Sequence, residues 1–196
     1  GGAKYNDYLF KNIIFRVAAR LFSWLLNVKV LSVSEARFDE EQTLLVGKPD
    51  LLLWLDMENG ERWLVQFDHQ TRDEPGLGEK LARHFLALLK RYNTAPVQFV
   101  GFMDDSADKY ARGAVISAPT GTGLALTFHA FNFSKAPAEL FLDENDPYSL
   151  AFALFCDLRG VGGDERLVEL ARRMAPKMDE EVRAFFFLAL QQAFKK

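Results

Sequence analysis

The sequence predicts an α/β fold: a mixed central sheet flanked by helices, followed by a helical extension at the C-terminal end. Three observations predict it. Apolar residues make up 49% of 196 residues, enough for one domain with a proper core. Strand-like apolar runs alternate with helical stretches up to residue 133. From residue 147 onward only helical patterning remains, interrupted by a glycine-rich break at 160–163.

Taken in order, residues 5–27 read as a helix, because Tyr8, Phe15, Phe22 and Leu26 recur with Ile14, Ala18, Leu21 and Leu25. Asn6 is its expected N-cap, and Asp7 and Lys11 share one face. Residues 28–34 alternate as a strand, and "FDEEQT" is polar and reads as a loop. Residues 50–57 and 61–68 form two strands of a hairpin, and 77–92 an amphipathic helix. Residues 97–103, 113–118 and 124–133 read as strands, with "TGTG" as the turn between the last two. Helices are expected over 147–158, after a cap at Asp164, and over 179–195.

The net charge of −3 argues against a general polyanion binder, though a locally basic groove on an acidic protein remains compatible with nucleic acid. The single cysteine, Cys156, makes an intramolecular disulfide impossible and reads as a buried thiol in a reducing compartment. The most apolar early segment, residues 12–26, is broken by Arg16 and Arg20 and is too short to span a bilayer. No membrane partner and a cytoplasmic location are therefore expected.

The stretch "GKPDLLLWLDMENGERWLVQFDHQTR", residues 47–72, carries the chemistry. Two almost wholly apolar strands end on carboxylates, Asp50 and Asp68. Two turn chemistries compete at Glu58-Asn59-Gly60. A two-residue Asn59-Gly60 turn sets Asp50 opposite His69. A three-residue loop with Gly60 left-handed sets Asp50 opposite Asp68, with Gln70 on the same face. Chain position alone does not choose. The bulged register is the one with a chemical use, since a hard divalent cation relieves the repulsion of two facing carboxylates.

Other candidates are weaker. His69, His84 and His129 lack zinc spacing, and His69 reads as a packing histidine. "PTGTG" lacks the Gly-Lys-Ser/Thr ending of a phosphate loop, and "GLGEK" reads as a helix entry. Lys80, Arg83, Lys90 and Arg91 form either a solvated helix face or a phosphate-contacting one. The phenylalanines Phe185 to Phe187 and Phe194 read as core or oligomer interface.

Residues 49–70 resemble the PD-(D/E)XK nuclease motif. More narrowly, three blocks resemble the Rpn (recombination-promoting nuclease) family, also called PD-(D/E)XK nuclease family transposases. These are "NDYLFK" at 6–11, the hairpin, and "LTFHAFNFSKAPAELFLDENDPYSLAFALF" at 126–155. The likeness implies a restriction-endonuclease-like core over residues 1–157 and a C-terminal helical extension over 158–196. It implies Mg²⁺- or Mn²⁺-dependent hydrolysis of DNA, associated with transposition or recombination. Asp50 and Asp68 would hold the metal, with the backbone carbonyl of His69 and Asp7 as further ligands. The metal would lower the pKa of a water, and Gln70 would orient that water. Asp68 departs from the usual glutamate, and Gln70 from the lysine of the motif's name. The missing cation is then assigned to Lys11 first, with Arg72 and Lys48 as alternatives. One such site cuts one strand, so double-strand cleavage implies a homodimer. The rival expectation is a catalytically decayed fold that binds DNA or protein, and a weaker third is a nuclease acting on RNA.

Overall fold

The computed structural model describes residues 2–193, without the side chains of 2–7, 40, 42, 45, 188, 192 and 193. Two compact units make up the chain: residues 29–132, and residues 1–28 together with 133–196.

The first unit is α/β. Its strands are β1 (Val30–Glu35), β2 (Leu51–Met57), β3 (Arg62–Gln70), β4 (Val97–Phe102), β5 (Ala114–Ser117), β6 (Gly123–Leu126) and β7 (His129–Asn132). A mixed five-stranded sheet runs in the order β1-β2-β3-β4-β7, and β5 and β6 form a separate hairpin. β1, β2 and β3 are antiparallel neighbours, whereas β4 lies parallel to β3 and β7 parallel to β4. The parallel step requires a crossover, which helix α3 (Leu77–Tyr92) supplies.

Side-chain alternation gives the sheet two characters. Leu53, Leu55, Val65, Phe67 and Phe99 point to one face and are fully buried there. The even-numbered residues of β2 to β4 meet α3. Leu52 and Leu64 pack with Leu88 of α3, and Val100 and Phe102 pack with Leu77 and Leu81. Gly78, in the first turn of α3, lets that helix approach β5: an added Cβ would come 2.5 Å from the Cβ of Ala114.

Several expectations need correction. "FDEEQT" is not a loop, because α2 (Glu40–Val46) begins inside it. Its periodic apolar content is too brief to read against its acids. The expected strand 124–133 is two strands in two sheets, divided at Thr127-Phe128. The helix expected over 147–158 is α4 (Pro147–Ala153), held at its start by Asp146, whose side chain accepts from the Tyr148 and Ser149 amides. Asp164 is the first residue of α5 (Asp164–Met174) rather than its cap, and Gly163 precedes it with φ +91°.

The second unit is helical, with α1 (Gly2–Leu26), α4, α5 and α6 (Glu180–Ala193). Asn6 lies inside α1 and does not cap it. Edge-to-face contacts of Phe10 with Phe133 and Phe155, and of Phe152 with Phe133 and Phe141, fill this core. Phe185 and Phe186 are buried, Phe187 is exposed, and Phe194 lies outside the described residues. Cys156 is buried, and its Sγ donates to Phe152 O at 3.5 Å. No helix is long and apolar enough to cross a membrane among the described residues.

Candidate metal centre

The turn between β2 and β3 takes the bulged form. The Met57 amide donates to Glu61 O at 2.8 Å, the Gly60 amide to Met57 O at 3.0 Å, and Gly60 has φ +84°. Only glycine adopts that conformation without strain. The ladder then runs from Asp56 opposite Arg62 to Leu51 opposite Phe67. The paired ladder ends at Leu51, one residue short of Asp50.

At this end the ladder would next use the backbone of Pro49, where the strand has already stopped. The Asp50 side chain takes over: Oδ2 accepts the His69 amide at 2.8 Å and lies 3.2 Å from His69 Nδ1. His69 is therefore a partner of Asp50 and not a packing residue only. Its own backbone pairs with Gly101 in the β3–β4 ladder.

Asp68 points to the sheet face opposite to that of its neighbour His69, under α3, and is completely buried. An isolated carboxylate there would be very costly. Two donors offset that cost. Lys80 Nζ donates to Oδ1 at 3.0 Å, and Gln66 Nε2 donates to Oδ2 at 2.5 Å. The Gln66 amide also lies 2.7 Å from His84 Nδ1, and its carbonyl accepts from Gln98 Nε2 at 2.8 Å. Gln98 Nε2 also donates to Leu81 O at 2.8 Å.

These bonds fix every proton in the chain. Both hydrogens of Gln66 Nε2 are committed, one to Asp68 and one to His84. His84 Nδ1 is then the acceptor, and its proton sits on Nε2, which donates to Val46 O at 3.0 Å. Gln98 Oε1 is left buried without a partner among the described residues.

The electrostatics follow from this geometry. Burial disfavours the Lys80 ammonium, but Asp68 in contact, with Asp50 and Glu74 nearby, outweighs it and raises the Lys80 pKa above the usual value. For His84 burial wins: its pKa falls below the usual value although Asp68 pulls the other way. The result is a charged lysine and a neutral histidine on either side of one carboxylate.

Of the residues expected at the site, this unit holds Asp50, Asp68, Gln70 and His69, and Gln70 is buried at the end of β3. Lys11 lies half-buried on α1, in the other unit, and the Asp7 side chain is outside the described residues. Lys48 borders a cleft of about 630 Å³ together with Asp50, Arg37, Glu35 and Asp39. Arg72 is exposed beyond the end of β3.

The sequence reading missed the roles of Lys80, Gln66, His84 and Gln98. One signal was available: Gln66, Asp68 and Gln70 recur every second residue of β3, following the apolar run Trp63-Leu64-Val65. Such a row places three polar groups on one buried face.

In kind, the donors suit a hard divalent cation. Mg²⁺ retains water and is commonly held through one or two carboxylates together with substrate phosphate. Asp50, bonded to the His69 amide, and Asp68, bonded to Lys80 and Gln66, are the carboxylates at this end of the hairpin. Among the described residues no cluster of three or more His, Cys, Asp or Glu converges as a self-sufficient cage. Comparison of the chain with protein-family models, with curated proteins and with solved structures finds no match.

Proposed function

We propose that the chain is a metal-dependent endonuclease that hydrolyses DNA phosphodiesters, with Asp50 and Asp68 as the metal-holding carboxylates and Lys80 as the cation of the site. The observation that carries this reading is the ion pair between buried Asp68 and part-exposed Lys80. The motif's name has a lysine two residues after the acid, where Gln70 stands, and the cation was expected from Lys11, Arg72 or Lys48. Lys80 of α3 delivers an ammonium to the same carboxylate from a different element.

Within this reading a bound divalent cation supplies a water of lowered pKa and neutralises phosphoryl charge. The chain does the rest. Lys80 attracts a phosphoryl oxygen and holds the Asp68 carboxyl by a hydrogen bond. Gln66 and His84 hold the Asp68 carboxylate in one orientation. The Gln70 amide orients the attacking water. Lys48 and Arg37, on the cleft that borders Asp50, bind flanking phosphates.

The mixed sheet, with its antiparallel hairpin and parallel crossover, supports a restriction-endonuclease-like core with a C-terminal helical extension, the arrangement implied by the likeness to Rpn nucleases. DNA as substrate and a role in transposition or recombination rest on that likeness. A cytoplasmic location rests on the lone cysteine thiol.

A second reading has one observation in its favour. Both Asp68 oxygens are already bonded, by Lys80 and Gln66, which suits a decayed site kept as a binding module. Thermal unfolding with and without Mg²⁺ or Mn²⁺ separates the two. A nuclease site gives a metal-dependent rise in Tm that Asp50→Ala abolishes. A decayed module gives the same Tm with and without metal.

A further inference from the structure

Among the described residues bonded to the Asp68 carboxylate, only Lys80 reaches water. Gln66 on Oδ2 is fully buried, and so is His84 behind it. The Lys80 side chain is 36% exposed, against 0% for Asp68. Its ammonium, 3.0 Å from Oδ1, therefore stands between the carboxylate and solvent. The inner groups are pinned from behind. Gln98 holds the Gln66 carbonyl, and Val46 O holds His84 Nε2. Lys80 Nζ has no hydrogen-bond acceptor but Asp68 among the described residues. One member of the set is thus able to move without breaking the rest. Glu74, which is exposed, and Asp50 lie close enough to act on the Lys80 charge.

We propose that Lys80 is the resident counter-cation of Asp68, and that a divalent cation reaches this carboxylate only by displacing the Lys80 ammonium. The inference rests on the reading of Asp68 as a metal-holding carboxylate, and adds how that place is filled and opened. Two cations on one carboxylate oxygen repel, most strongly where water does not screen them. The other oxygen offers no way round, because the buried Gln66 amide closes it. Exchange of one cation for the other never leaves the buried carboxylate uncompensated, a state that would be very costly. The displaced ammonium turns to water beside Glu74, on a flexible four-carbon stem. There it is able to attract a phosphoryl oxygen. Lys80 thus makes two contacts in succession, Asp68 first and phosphate second. Breaking the first contact weakens metal binding, so a chain without the ammonium binds a divalent cation more tightly.

The test is calorimetric titration of Mn²⁺ into the whole chain at neutral pH, wild type beside Lys80→Met, Lys48→Met and Asp68→Ala. Lys80→Met should bind about tenfold more tightly than wild type. Lys48→Met removes a charge from the cleft bordering Asp50 but leaves Asp68 covered, and should change affinity by less than about threefold. A second measurement needs no variant and decides alone if Lys80→Met does not fold. Lysines of the wild type are acylated and the labelled peptides read by mass spectrometry. Labelling of Lys80 should rise several-fold with Mn²⁺, and that of exposed Lys90 should not change. Equal or weaker binding by Lys80→Met, or Lys80 labelling that Mn²⁺ leaves unchanged, overturns the proposal while the metal reading stands. No Mn²⁺ binding by wild type and Lys80→Met, or binding that Asp68→Ala leaves intact, overturns both.

Discussion

The two ends of α3 meet the same sheet face in opposite ways. Toward its C-terminus, Leu88 packs on Leu52 and Leu64, with Trp54 and Tyr92 meeting edge-to-face beside them. Toward its N-terminus, Lys80 and His84 stand over Gln66, Asp68 and Gln98, which are just as buried but polar. The first contact is dry packing, and its stabilisation follows from area removed from water. The second replaces hydration with a closed set of hydrogen bonds around one charge, and such a set contributes little net stability. The same helix thus anchors the fold at one end and holds a carboxylate at the other. What the polar end gains is a charged group kept at a fixed place inside the protein.

Substitutions at the two ends sharpen that contrast. Leu88→Ala at the dry end should cost the most, about 2–5 kcal/mol in urea unfolding, and should leave metal response unchanged. At the polar end Lys80→Met comes next, at about 3 kcal/mol at neutral pH, because it leaves Asp68 buried without its cation. Removing Asp68 instead should cost less, since Lys80 retains 36% side-chain exposure and can turn to water.

The pH dependence should be smaller still and should belong to the polar end. His84 has a folded pKa below its ordinary 6.5, so the unfolded chain binds its proton more readily. Stability should therefore decline as pH falls below about 6.5, and His84→Asn should flatten that slope in thermal melts. Lys80 has a folded pKa above 10.5, so its contribution is complete below that value and is lost as pH rises through the higher one. Lys48→Ala should show the smallest change, within about 0.5 kcal/mol of stability, because Lys48 is exposed. Its effect should appear only as weaker binding of a DNA duplex, measured by fluorescence anisotropy.

Much of the dry end was legible in the sequence. The spacing of Leu77, Leu81, Leu88 and Tyr92 gave the limits of α3 to the residue. The hairpin was legible but its register was not fixed by the turn residues, which left two registers open; the bulged one was preferred for the use it gives Asp50 and Asp68. The polar end was legible only in part. Asp50 and Asp68 announced themselves as carboxylates at the ends of apolar strands. Lys80 looked like one member of a solvated basic face, because nothing local says that a parallel crossover lays the first turn of α3 over the end of β3. The link from Gln98 to Gln66 is likewise set by the β3–β4 register, which joins residues 32 positions apart. Helix α2 escaped notice because a seven-residue helix carries too few periods to stand out.

The central claim is that Asp50, Asp68 and Lys80 form a metal-dependent phosphodiester-cleaving site. Nicking of supercoiled plasmid with Mg²⁺ or Mn²⁺, wild type beside Asp68→Ala, tests it most directly. The account predicts metal-dependent nicking by the wild type and loss of at least a hundredfold in the variant, about 2.7 kcal/mol of transition-state stabilisation. Equal nicking by both proteins, or none by either, would contradict it.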